Sequence, residues 1–332
     1  MSVKNFIDDF KSVVQIICGV FYIFRIKNSS RFVNNRYLGE VIRETHSIEK
    51  GLSLEHVRMG FGLAKFMESD RVIKRYKLNG GDMRAEPMLM YIDALKNYLD
   101  FHKKNKFTND VVKQVENNYN LLKKEIGETN GLYGGTQIVS RKVFSNSEKD
   151  LLKSIFLNRH SIREFDHSPV DMDDLKSAIK LAMHCPSACN RQCQRLYIVD
   201  KKDFLLLNNS FDGIGGFAEE LDKILFITGS MSVYRHYETF QWIVTGSIFA
   251  AYLSLALEVF SIGSCFIQRP VLPNKLWKKV AKNIGASDDE QLICCMGIGN
   301  LKEQYKVPIS YRLDYDSIVT IVNVPGESKD KI

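Results

Sequence analysis

Residues 185–199 read CPSACNRQCQRLYIV, and the meaning of this stretch decides the fold. A helical pattern ends just before Cys185, and an apolar strand begins at Leu196. Between them lies a loop of Pro, Ser, Ala and Asn. Its small side chains leave backbone N–H groups accessible. Ser187 and Asn190 both donate and accept, so the loop suits the edge of a flat polar ligand. Cys185, Cys189 and Cys193 also stand at four-residue spacing here. That opens a second reading, as thiolate ligands of an iron–sulfur cluster. The spacing lacks the C-x2-C step of such sites, and Pro186 sits inside it. Buried inert thiols are the plainer alternative.

Working outward, a helix precedes the loop, with Asp171 as N-cap after Pro169 and an apolar face of Leu175, Ala178, Ile179 and Ala182. Before it stands RHSIREF, residues 159–165. Arg159, Ser161 and Arg163 place two guanidinium groups and a hydroxyl within five residues. This is an anion cradle in outline, because each planar fork donates two parallel hydrogen bonds to phosphate. A solvated helix end is the alternative. After the loop come expected strands at Leu196–Val199, Ile224–Thr228, Ser264–Ile267, Leu292–Ile298 and Ile318–Val322. Phe240–Phe260 reads as a long helix, apolar on nearly all sides and therefore buried. Cys294 and Cys295 alternate across their strand and read as core. Tyr234, His236 and Tyr237 either line a substrate space or pack. Strands alternating with helices make this half α+β.

These elements together resemble the FMN-dependent nitroreductase superfamily, over roughly residues 150–322. The family pattern R-R-S-x-R-x-F is met at Arg159, Ser161, Arg163 and Phe165. Its Pro-Val before a helix is met at Pro169 and Val170, and its A-P-S-x-x-N-x-Q-P-W at Pro186, Ser187, Asn190 and Gln192. Residues 255–267, LALEVFSIGSCFI, and the closing GIGNLKEQYKVPISYR are similar to the family's later segments. The resemblance implies an α+β fold, a central mixed sheet flanked by helices. It implies an intertwined homodimer with FMN at the interface. Arg159, Ser161 and Arg312 would hold the phosphate, with His160 beside them. Arg163 would approach the flavin N1–O2 edge. Pro186, Ser187, Asn190 and Gln192 would come from the other subunit, and backbone around Gln268 and Arg269 would face N5 and O4. The implied activity is ping-pong hydride transfer from NADH or NADPH, a transient donor, through flavin N5 to a small organic acceptor. No G-x-G-x-x-G follows a strand, and this scheme needs none. The alternative is a degenerate domain of this type that binds a nucleotide or a partner without turnover. The chain departs from the pattern at Cys193 and Gln194, where the family has Pro and an aromatic residue. It departs again at Gln268 and Arg269, and at Ser310 near the place of a second basic residue.

Residues 1–145 read as an all-helical extension, and residues 146–332 as the FMN-binding domain. Helical patterns run over 37–43 into 46–53, then over 54–76, 87–104 and 109–127. Thr108-Asn109-Asp110 is a start, Gly127 a stop, and Gly131–Gly135 a flexible link. His46 and Glu49 share a helix face and lack a third metal ligand. They read as a structural pair. The basic excess belongs to this region, with 24 Lys+Arg against 16 Asp+Glu, while the rest has 22 against 23. The charges are interspersed, so a solvated helix surface is expected, and no nucleic-acid partner. Val13–Phe24, VVQIICGVFYIF, has 12 residues, fewer than the roughly 20 that span a bilayer. It reads as an amphipathic helix that packs on the body or a partner, with peripheral membrane contact as the alternative. Seven cysteines, an odd count with an adjacent pair, point to reduced thiols and a cytoplasmic setting.

Overall fold

The computed structural model describes residues 3–207, 214, 216–268 and 275–322. Helices α1 (Val3–Asn28), α2 (Val33–Leu52), α3 (Leu63–Leu78), α4 (Glu86–Lys104) and α5 (Asp110–Ile126) form the first region. Helices α2–α5 bury Val41, Ile48, Phe66, Tyr91, Tyr98 and Val115 in one cluster. Asn109 caps α5 by accepting from the Val112 N–H, and Gly127 ends it at φ 94°. The helix expected over 54–76 starts only at Leu63. Gly60 and Gly62 adopt φ 66° and 94°, and that left-handed backbone breaks a helix. The Gly60 N–H instead donates to Nε2 of buried His102 at 2.9 Å. Glu49 lies 3.5 Å from His46 and accepts from the Gly135 N–H, as a structural pair would.

The segment after α5 is better anchored than a free link. Asp93 accepts from the Tyr133 N–H, and Asn97 from the Thr136 N–H. A Cβ on Gly134 would lie 2.3 Å from the Met90 carbonyl oxygen, so glycine permits the contact.

The second region runs α6 (Asn146–Asn158), α7 (Met172–Ala182), β1 (Gln194–Asp200), α8 (Lys201–Leu207), β2 (Lys223–Ser230), α9 (Gln241–Val259), β3 (Ile262–Gln268), α10 (Lys275–Asn283), β4 (Glu290–Asn300) and α11 (Tyr315–Ile318). A Ser145–Glu148 capping box starts α6, and Asp171 caps α7 as expected. The sheet order is β1-β2-β4-β3. All three strand pairs are antiparallel, and Ser161 adds a parallel bridge to Ser264. Every residue of β4 but Asn300 is buried. Its Cys294 enters the cluster under α9, and Cys295 the cluster on the opposite face, as strand alternation requires. Helix α9 is long and apolar enough to cross a membrane, but it packs on α7 and the sheet.

No strand forms at 318–322. Ile318 closes α11, and Ile321 and Val322 are exposed. A strand needs a hydrogen-bonded neighbour, and among the described residues no strand pairs with these.

Candidate functional site

The cradle is built on the β3 edge of the sheet. Arg159 terminates α6 in extended backbone. The Ile162 N–H then donates to the Ser264 carbonyl at 2.9 Å, and the Asp166 N–H to that of Asn300. Ile162 and Phe165 are buried. Added Cβ atoms on Gly263 and Gly299 would lie 3.1 and 2.8 Å from the Phe165 ring. The chain is thus pinned at the apolar positions and leaves the polar ones outward. Arg159, His160 and Ser161 are half-buried and Arg163 exposed. The Arg163 guanidinium donates to the Ser161 carbonyl at 3.3 Å. Burial raises the Glu258 carboxyl on α9, while His160 and Arg159 act against it. Burial likewise raises the Cys265 thiol against Arg163 and Arg159. Arg159 thus acts on both the carboxyl and the thiol, and Arg163 on the thiol. Two cations and a hydroxyl on a rigid strand edge fit a phosphate-bearing ligand. Gln268 ends β3, and Arg269 lies outside the described residues.

The loop is built on the opposite, β1 edge. After α7 the chain makes a single 3-10 turn, and Cys189, Asn190 and Gln192 take φ 52°, 57° and 42°. Asn visits this region readily, but Cys and Gln each pay about 1 kcal/mol. The Gln192 N–H donates to Ser187 Oγ at 3.2 Å, and its amide to Asn190 Oδ1 at 3.1 Å. Between them Arg191 turns inward. Its Nη1 and Nη2 donate to Glu238 at 2.7 and 2.5 Å, its Nε to the Ala188 carbonyl at 3.1 Å. The guanidinium sits 4.3 Å from the Tyr234 ring centroid. Cys193 is buried, donates to the Trp242 carbonyl and is pushed up to about 11 by burial. Burial also raises Cys185. Both thiols are therefore held neutral. Among the described residues no three His, Cys, Asp or Glu side chains are grouped to hold a metal.

Cradle and loop do not meet within one chain through the sheet. Three strand steps separate β3 from β1, about 14 Å at roughly 4.8 Å per step. Arg312 lies in an exposed segment, and its guanidinium donates to the Ser310 carbonyl at 2.6 Å. The structure does not join it to Arg159 or Ser161. A cavity of 480 Å³ opens on the other side of the loop, where Gly39, Met90, Met183, Gln192, Gln194 and Phe249 contribute to its wall. The Gln194 Oε1 is buried there with no hydrogen-bond partner among the described residues.

Residues 157–221 match the Nitroreductase family model. This segment holds the cradle, α7, the loop and β1. Solved structures similar to part of this chain include an FMN-dependent nitroreductase from Clostridium difficile R20291, 23% identical, TM-score 0.45, over 52% of this chain and 99% of that one. A nitroreductase-like family protein from Bacillus cereus is 14% identical, TM-score 0.45, over 55% and 99%. A nitroreductase family protein from Streptococcus pneumoniae TIGR4 is 19% identical, TM-score 0.43, over 51% and 98%. No curated protein matches the chain.

Arg191 of the second region and Lys27 of the first escape a reading of the sequence. Arg191 stands between two polar loop residues and resembles a solvated side chain. Its partner Glu238 is 47 positions away. Tyr234 is buried against Thr245 Oγ1 at 2.8 Å, with its phenol raised by burial, so it packs. Tyr237 is exposed and accepts from Arg235 at 3.1 Å. Lys27 of the helical region is buried and donates to the Arg235 carbonyl at 2.6 Å. No local pattern announces such long-range polar contacts.

Proposed function

We propose that the protein is an FMN-dependent oxidoreductase that uses NADH or NADPH to reduce a small organic acceptor. The observation that carries this is the Arg159–Arg163 cradle pinned on β3, inside the segment that matches the Nitroreductase family. When bound, FMN supplies the redox chemistry, taking hydride at N5 and passing it on. Arg159 and Ser161 would hold the phosphate, with His160 adjacent and Arg312 as the third donor. Arg163 would place positive charge where reduction leaves negative charge on the ring. Pro186, Ser187, Asn190 and Gln192 would form the opposite wall, and the backbone at Gln268 and Arg269 the N5 edge.

Because cradle and loop sit on opposite sheet edges, the complete site needs both from different chains, and we propose a homodimer. Exposed apolar side chains support it: Leu151, Phe156 and Leu157 on α6, and Ile309, Ile321 and Val322 on the closing arm. Exposed apolar side chains gathered on such segments favour an interface. The helical region walls the cavity beside the loop with Leu38, Ile42 and Met90, and we assign it acceptor selection. We also propose a cytoplasmic setting, from the odd count of seven cysteines with an adjacent pair. The test is anaerobic mixing of FMN-loaded protein with NADPH or NADH. Rapid bleaching of the flavin band supports the oxidoreductase. Bound flavin that is never reduced would favour a binding domain without turnover.

A further inference from the structure

Helix α1 is fixed to the body along one side only. Ile23 and Ile26 enter the core under α9, and the Tyr22 hydroxyl donates to the Asp288 carbonyl at 2.9 Å. Phe10, Val13, Ile17, Val20, Phe21 and Phe24 are exposed, Phe21 to 70% and Phe24 to 61%. At 3.6 residues per turn these six fall within an arc of about 100°, on the side away from Ile26. The stripe is thus largely free of the body, save for the Phe24 ring, whose centroid lies 6.4 Å from that of His236. It is about 21 Å long at 1.5 Å per residue, too short to cross a hydrocarbon core of about 30 Å. That length and one-sidedness suit a helix lying in the plane of a membrane interface.

The neighbouring surface supplies the matching charge. Helix α10 buries Trp277 and Val280 and exposes Lys278, Lys279 and Lys282. Its Lys278 Nζ lies 4.9 Å from the Tyr22 ring centroid, so its basic face adjoins α1. A groove of 730 Å³ runs between them, with Arg25, Arg31, Lys278 and Lys282 in its wall. Its one exposed carboxylate, Asp288, is paired with Arg31. Arg25, Lys278 and Lys282 remain as excess cations next to the apolar stripe.

We propose that α1 and the basic face of α10 dock the protein on an anionic phospholipid membrane, the stripe entering the interface and the groove cations meeting lipid phosphates. A second copy of the chain fits less well. A two-fold contact on the stripe sets its basic flanks against identical ones, whereas an anionic surface neutralises them. The surface uses no residue of the cradle or loop, and its test reads no flavin chemistry.

The test is sedimentation of the full chain with phosphatidylglycerol-containing vesicles and with pure phosphatidylcholine vesicles. Binding to the first and not the second is expected, weakened by salt. Lys278→Glu with Lys282→Glu should lower affinity at least about 25-fold, from roughly fivefold per basic residue. Phe21→Glu with Phe24→Glu should abolish binding. Circular dichroism and melting temperature should hold in both variants, because all four side chains are exposed. No sedimentation with anionic vesicles, or equal binding to both kinds, would overturn the proposal. So would a lipid-free dimer that Phe21→Glu dissociates, since the stripe would then belong to a second copy.

Discussion

Replacing Arg191 by Met removes the anchor that holds the loop in its strained backbone. The Arg191 side chain is 1% exposed and that of Glu238 19%. Removing one partner of a buried ion pair costs about 3–5 kcal/mol, because the other charge is left without compensation. Here Glu238 keeps one donor, the Arg235 N–H at 3.0 Å, and its partial exposure admits water. Stacking on Tyr234 adds about 1 kcal/mol to the loss. Relaxation of Cys189 and Gln192 from positive φ returns about 1 kcal/mol each. The balance is a destabilisation of about 2–4 kcal/mol. Urea unfolding, with an unchanged slope, reads it. Burial works to raise the Glu238 carboxyl, but Arg191 and the Arg235 N–H outweigh it and hold it below the usual range. An acid with a depressed folded pKa stabilises above its unfolded value, near pH 4.5, and loses that contribution as pH falls further. The difference between wild type and variant should therefore shrink below about pH 4.5. Arg191→Met with Glu238→Leu should be less destabilised than the sum of the single changes. A loss for Arg191→Met below about 0.5 kcal/mol would refute the reasoning, because a solvated surface pair behaves that way.

Burial lowers Lys27 from its ordinary 10.5 to about 8. The unfolded chain binds the proton between those values and the folded one does not, so stability gains as pH rises through that window. The gain is about 3 kcal/mol, and subtracting a Lys27→Met pH profile from that of wild type isolates it. Gly39→Ala places a Cβ 2.2 Å from the Val233 carbonyl oxygen. Helix propensity alone would favour alanine by about 1 kcal/mol. The backbone clash should dominate and lower stability by about 1–3 kcal/mol in thermal melts. Arg312→Ala changes an exposed side chain and should leave the melting temperature of the FMN-free protein unchanged. It should weaken FMN binding about tenfold or more in fluorescence titrations, as loss of a charge-assisted phosphate contact does.

Local chemistry was legible in the sequence. Asp171 and Asn109 cap helices because a short polar side chain there meets free N–H groups. Cys294 and Cys295 divide between two core faces because strand side chains alternate. Pro186–Gln192 was legible as a loop, and Arg159–Arg163 as a segment that turns polar side chains outward around buried Ile162. What stayed hidden depends on contacts far apart in the chain. Gly60 and Gly62 stop a helix whose apolar pattern continues past them, and only the Gly60–His102 contact shows why. Ile318–Val322 has strand composition but no pairing strand among the described residues. Arg191 is buried because Glu238 and Tyr234 reach it from 47 and 43 residues away. The separation of cradle and loop follows from the strand order, which periodicity does not encode.

The central claim is that this chain holds FMN, and flavin content tests it most directly. Protein purified without added cofactor, or reconstituted with FMN and desalted, should be yellow and release about one FMN per chain on denaturation. Arg159→Ala with Arg163→Ala should abolish retention in a folded protein. A wild-type chain that is folded and dimeric, yet colourless and unable to take up FMN, would contradict the account.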